Sequence, residues 1–272
     1  MTDNHWRLII HQAAPGAENM AVDEAIAQAI AGKTVAPTLR FYAWTPPCVS
    51  MGRNQAAAGV DLDRCAALGY DVVRRPTGGR AILHTDEMTY SVIASPEHPL
   101  MVGYVLDSYL RISHGLVAGL KRLGIDAEEA PGTNRAGPDV SAACFEVPSA
   151  YEIVAGGRKV LGSAQARRST SVLQHGSLPL VGDLTRVVDC LKFDDETERE
   201  ALRASLKGHA ATVEELLGRV VSYDEAIAAL AAGMTEALGL ELVPGELTDQ
   251  EREWTGQLMA EKYRHDAWTM RA

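Results

Sequence analysis

The run AYEIVAGGRKVLGS, residues 150–163, narrows the choice of folds more than any other part of this chain. Two strand-like segments are joined by Gly156-Gly157 alone. A two-residue connection of this kind is a type I′ turn, which needs positive φ at both positions and so favours glycine. The pair it makes is antiparallel, which points to an antiparallel or mixed sheet. Short runs rich in β-branched or aromatic residues and bounded by Pro and Gly supply further strands: TLRFYAW, CVSMG, YDVVRR, RAILH, MTYSVIAS and SVLQHGSLPL.

Helical spacing appears at three places. PGAENMAVDEAIAQAIAG predicts an amphipathic helix with Met20, Ile26 and Ile30 near one face and Gly32 at its end. GYVLDSYLRISHGLVAGLKRLGI predicts a long helix through Tyr109, Ile112, Leu116, Leu120 and Leu123. From about residue 212 the chain turns helical, with capping-box patterns at Thr212/Glu215, Ser222/Glu225 and Thr248/Glu251. The second opens a helix striped by Ile227, Leu230, Met234 and Leu238. Strands with few helices between them, then a helical tail, define the class as α+β: a mixed or antiparallel β-sheet core flanked by helices, with a helical C-terminal segment. No repeat or linker divides residues 1–272, which are read as a single compact domain. Its core is expected at about 33–246, and a C-terminal helix at about 248–264.

A formal charge of −10 argues against nucleic acid as a partner, because neutralising phosphates needs a positive surface. No apolar run approaches a membrane span, so no membrane partner is expected. MTDNHWRLII has no basic segment leading into an apolar one, so no signal peptide is read there, and a cytoplasmic location follows as an expectation. Cys48, Cys65, Cys144 and Cys190 form no C-x-x-C pair, so no metal site is expected and the thiols are read as reduced.

Against this acidic background stands VVRRPTGGRAILH, residues 72–84. Two strand-like runs flank Pro76-Thr77-Gly78-Gly79, with Arg74, Arg75 and Arg80 around it. One reading is an ordinary hairpin with solvated arginines. The other is a side-chain-free turn whose backbone N–H groups approach a ligand, the arginines favouring anionic groups. It is not a Walker loop, because G-x-x-x-x-G-K-[ST] is missing here.

RRPTGGRAILHTDEMTYSVI resembles the signature of the biotin/lipoate protein ligase superfamily, and GRKVLGSAQAR at 157–167 resembles its second signature. NMAVDEAI, SMGRNQ and KYRHDAW are similar to further segments of it, in order and over nearly the whole chain. The ligases carry a third glycine where this chain has Arg80, and that glycine leaves room for a nucleotide. The Gly-Gly-Arg form, with ACFEVPSAYEI, instead resembles the octanoyltransferases of Bacillus type.

This resemblance implies a biotin/lipoate ligase-like catalytic domain that moves octanoyl from octanoyl-acyl carrier protein to the acceptor lysine of a lipoyl domain, such as the glycine cleavage H protein. It implies Cys144 as the catalytic nucleophile and Lys159 as the lysine near the acyl carbonyl. Arg74, Arg75, Thr77, Gly78, Gly79 and Arg80 would shape the substrate pocket, and His84 would line it. No cofactor is implied, and a monomer is expected.

The chemistry is sound for these residue types: thiolate is a strong nucleophile and a good leaving group, and a neighbouring cation favours it over the thiol. Simple alternation places Lys159 on one strand face with Leu161 and Ser163. Taken alone, a lysine here reads as a surface residue and Cys144 as an inert buried thiol. His175 is a weaker counterpart of His84. Alternative activities are an ATP-dependent lipoate–protein ligase, an octanoyl amidotransferase between lipoyl domains, and a silent lipoyl-domain binding module.

Overall fold

The computed structural model describes residues 4–130 and 152–271. The chain begins with β1 (His5–Ile10), α1 (Gly16–Ala31) and β2 (Thr38–Tyr42). Then come β3 (Cys48–Met51), α2 (Leu62–Ala67), β4 (Asp71–Arg74), β5 (Ile82–His84) and β6 (Glu87–Ala94). The long α3 (Val105–Arg122) leads to β7 (Ala127–Glu129). Beyond the undescribed residues lie β8 (Ile153–Ala155), β9 (Arg158–Arg167) and β10 (Val172–Pro179). The last third holds α4 (Glu196–His209), α5 (Val213–Leu217), α6 (Tyr223–Leu238), β11 (Glu241–Pro244), α7 (Asp249–Leu258) and α8 (Asp266–Thr269).

Among the described residues, eight strands form one mixed sheet in the order β11-β1-β2-β6-β10-β9-β8-β7. β1 runs parallel to both of its neighbours, and every pairing from β2 onward is antiparallel. Both faces are covered, and the alternation along β6 and β10 divides the core in two. Val92 and Val172 join Leu116, Leu120, Leu230 and Met234 beneath α3 and α6. Ile93 and Leu173 join Val22, Ile26 and Ile30 beneath α1. The expected α3 and α6 stripes are those that face the sheet. All three N-caps form as well, with Thr212, Ser222 and Thr248 each accepting from the glutamate N–H three residues on.

α3 and α6 touch backbone to backbone. A Cβ built on Gly233 would lie 2.1 Å from the Gly119 nitrogen, so only hydrogen fits between the helices there. Gly233→Val should force them apart and destabilise the protein by about 1–3 kcal/mol, read as a lowered chemical-denaturation midpoint. Gly208→Ala in α4, where a Cβ meets nothing within 4 Å, is the control and should not destabilise.

One expected pairing is corrected. β4 and β5 are not partners in a hairpin. β3 lies between them, parallel to β4 and antiparallel to β5, in a separate three-stranded sheet. The Pro-Thr-Gly-Gly segment therefore bridges across a third strand, and it is held from the β3 side.

Candidate functional site

The bridge over β3 is tight. Arg53 N–H donates to the Thr77 carbonyl at 2.7 Å, and a Cβ on Gly52 would fall 1.8 Å from the Gly79 oxygen. Gly79 itself has φ of 92°, a conformation that side chains disfavour. Arg75 is buried and closes the loop from inside. Its guanidinium donates to the Ser50 carbonyl at 2.7 Å, to the Gly78 carbonyl at 2.8 Å and to the Arg80 carbonyl at 2.8 Å. Arg74 is fully buried and gathers six carbonyls: Gly52, Arg53 and Gln55 on one side, Trp268, Thr269 and Arg271 on the other. Trp268 answers by donating its indole N–H to the Arg74 carbonyl at 2.8 Å. Neither arginine is the solvated side chain of an open hairpin. Their cations are occupied in fixing the backbone on which Thr77, Gly78 and Gly79 sit, and Arg80 is left half-buried at the rim.

Two buried histidines stand behind this loop, one touching it through Thr77 and the other bound to Ser50, which Arg75 also contacts. His84 stacks on Trp44 with ring centres 3.9 Å apart. Its Nε2 lies 2.7 Å from Ser50 Oγ, and its Nδ1 lies 2.5 Å from Glu87. The Glu87 carboxylate can only accept, so Nδ1 donates to it, and Arg75 also donates to Ser50 Oγ at 3.1 Å. Burial pushes the Glu87 carboxyl up, but His84, Ser177 and Thr89 outweigh it and hold it below its ordinary value. His175 is the second. Its Nε2 lies 2.6 Å from Thr77 Oγ1, and its Nδ1 faces Asp23 at 3.4 Å. Asp23 is paired with Arg40 at 2.7 Å in the fully buried interior, where Arg40 and His175 outweigh burial and lower its pKa.

His175 and a third histidine, His11, carry a pH consequence. Burial, opposed only in part by Asp23, lowers the pKa of His175. Burial and Arg40, whose Nε donates to His11 Nδ1 at 3.0 Å, bring His11 down to about 4. The unfolded chain then takes up protons below about pH 6.5, which the native chain refuses. Stability should therefore be full above pH 6.5 and fall between pH 6.5 and about 4. In His11→Gln the slope of denaturation free energy against pH over that window should be shallower than in the native chain.

The Gly156-Gly157 turn has φ of 55° and 76°, the positive pair that a type I′ connection requires. Beyond it the strand is not regular. Val154 pairs with Lys159 but Ile153 pairs with Leu161, so Val160 is the extra residue of a bulge. That corrects the simple alternation: Leu161 faces away from Lys159. The face that Lys159 shares runs through Val154 to Glu152, two residues back along the partner strand. Lys159 is fully buried and its Nζ donates to Glu152 at 2.5 Å. It is not a surface lysine. Glu152, which no signature residue marks, is the partner that the sequence reading lacks. Its signal was its place ahead of the hairpin, on the face that the bulge turns toward Lys159. Cys144 lies outside the described residues, eight positions before Glu152. Cys48, Cys65 and Cys190 are all buried.

A profile of the lipoyl protein ligase A/B catalytic domain matches residues 15–235. The chain is 46% identical over 267 residues to the octanoyltransferase LipM of Carboxydothermus hydrogenoformans, covering 98% of both chains. It is 47% identical over 274 residues to that of Symbiobacterium thermophilum, covering 99% of both. Among solved structures it resembles the bipartite lipoate protein ligase of Thermoplasma acidophilum, with a TM-score of 0.82 at 27% identity, over 98% of this chain and 96% of that one. A structure of a T. acidophilum putative lipoate protein ligase with bound lipoic acid gives a TM-score of 0.80 at 26% identity, over 98% and 100%. The mixed sheet, the fastened Thr-Gly-Gly loop and the lysine-bearing hairpin are thus found in a chain that belongs to the lipoyl protein ligase A/B catalytic domain family.

Proposed function

We propose that this protein is an octanoyltransferase of lipoate synthesis, taking octanoyl from acyl carrier protein and loading it onto the acceptor lysine of a lipoyl domain. The observation that carries the reading is its full-length identity of 40–47% to proteins named octanoyltransferase LipM. The buried, ion-paired Lys159, on the hairpin that follows the segment holding Cys144, supports the same chemistry. The glycine cleavage H protein is the acceptor we favour, in the cytoplasm and with the enzyme as a monomer.

In the first half-reaction the Cys144 thiolate attacks the carbonyl carbon of the octanoyl thioester. A new C–S bond forms, and the tetrahedral oxyanion then collapses with loss of the carrier thiolate, which takes up a proton. In the second, the neutral amine of the acceptor lysine attacks the Cys144 thioester. The C–N bond forms, the nitrogen gives up a proton, and the Cys144 thiolate leaves. The Lys159 ammonium, held in place by Glu152 at 2.5 Å, balances negative charge on sulfur and on the oxyanion in both steps. Arg75, Gly78 and Gly79 supply a rigid wall over the acyl chain rather than a binding cation. Thr77 is held to that wall by His175, and His84 steadies it through Ser50.

Both steps start from an acyl group that is already activated, so transfer should proceed with ATP and magnesium omitted. Incubation of the purified protein with octanoyl-acyl carrier protein alone should add one octanoyl mass, and a lipoyl domain added afterwards should remove it. A strict requirement for ATP, with lipoate-dependent pyrophosphate exchange, would instead make the protein a ligase.

A further inference from the structure

Four cations gather beside the loop in a protein whose formal charge is −10. Arg53 is exposed, and its backbone N–H holds the Thr77 carbonyl. Arg271 donates to the Arg53 carbonyl and lies 4.3 Å over the Trp268 ring. Lys262 covers the same ring at 4.1 Å. Arg168, at the end of β9, lines a cavity together with Pro76 of the loop. Glu24 is the carboxylate these cations share, holding Arg168 at 2.9 Å and Lys262 at 2.6 Å. Glu261 and Asp266, on the same C-terminal segment, form no ion pair with them among the described residues. The charges feel one another: burial first, then Arg168 and Arg53, lower the pKa of Lys262 against the pull of Glu24.

A rim of four cations against the single Glu24 carboxylate keeps a net positive charge, which is costly in self-repulsion and is relieved by an anion. A thioester carried on a phosphopantetheine arm presents such an anion, since the arm joins its protein through a phosphodiester. The acyl end enters the pocket and the phosphodiester remains outside, where a rim rather than a pocket residue meets it. We propose that Arg53, Arg168, Lys262 and Arg271 form the docking surface for the acyl-donating carrier protein. This rests on the transferase reading above. It assigns the donor, not the acceptor, to this side of the loop.

The test uses the first half-reaction alone, followed by intact mass at several salt concentrations, with three octanoyl donors: the carrier protein, coenzyme A and pantetheine. Arg53→Glu should raise KM for the carrier protein about tenfold, with kcat little changed, and should flatten the salt dependence. Arg53→Lys should retain native behaviour, and adding Arg271→Gln to Arg53→Glu should deepen the loss. Acylation by octanoyl-pantetheine, which carries neither phosphate nor protein, should be unaffected. A matching KM rise with octanoyl-coenzyme A means the rim reads the phosphate, and none means it reads the carrier's surface; both support docking here. The proposal is overturned if pantetheine suffers equally, since the substitution has then disturbed the loop itself. It is also overturned if the carrier protein is unaffected, or if only transfer from the preloaded enzyme to the lipoyl domain slows. Failure of the native protein to accept octanoyl from any of the three donors sinks the transferase reading instead, so the two failures are distinct.

Discussion

Octanoyl transfer is expected to fall to background in Cys144→Ala, and the octanoyl adduct is expected to vanish with it. In the native protein that adduct should be released by neutral hydroxylamine, which cleaves thioesters, and should map to the peptide containing Cys144. The same substitution at Cys48, Cys65 or Cys190 should leave both adduct and turnover. The structure gives a reason: all three are sealed from solvent, and burial raises the Cys48 thiol well above its usual value. Cys48→Ala still opens a small hole beside Gly16, whose built Cβ would lie 2.4 Å from the sulfur. A stability loss of about 1 kcal/mol is expected there, without loss of chemistry. Full activity in Cys144→Ala would mean direct transfer between carrier and acceptor.

The second large effect belongs to Lys159. An oxyanion donor is typically worth about 3 kcal/mol, so Lys159→Ala should slow acylation roughly 100-fold or more in a single turnover. Alkylation of Cys144 should shift to higher pH, because in the proposed mechanism Lys159 is the cation that favours its thiolate. Arginine should rescue poorly, its planar head being larger and its donors differently aimed. The buried pair with Glu152 adds a complication, since removing one partner of a buried ion pair destabilises on the order of 3 kcal/mol. The double variant Lys159→Met/Glu152→Gln separates the two effects. It should recover much of the lost stability and none of the lost rate. Unchanged acylation and alkylation profiles in Lys159→Ala would reduce the lysine to a structural residue.

Local signals were legible. The I′ turn, the three N-caps and the apolar stripes of α3 and α6 depend on residues within a few positions of one another, and they stand where the spacing places them. What depended on distant chain was hidden. Nothing between residues 74 and 82 says that β3 will slide between the two runs, because that choice is made by pairing with Cys48–Met51. Arg74 reads as a ligand-facing cation until its partners are known, and half of them come from residues 268, 269 and 271. The bulge at Val160 is likewise invisible to a period-two reading, and missing it moved Leu161 onto the wrong face and left Glu152 unnoticed. His175 looked unremarkable because its partners, Thr77 and Asp23, lie 98 and 152 positions away.

The fastening of Arg74 has a consequence for the order in which the protein is made. The loop is written early and completed late: the Trp268 carbonyl that secures Arg74 is translated 194 residues after it. A ribosome can expose every strand of the sheet, and the chain can bury most of its core, before the guanidinium has its last acceptors. The loop that follows Arg74 is thus among the last parts to be fastened, and a chain halted before Trp268 would hold most of its core while Arg74 still lacked half of its acceptors.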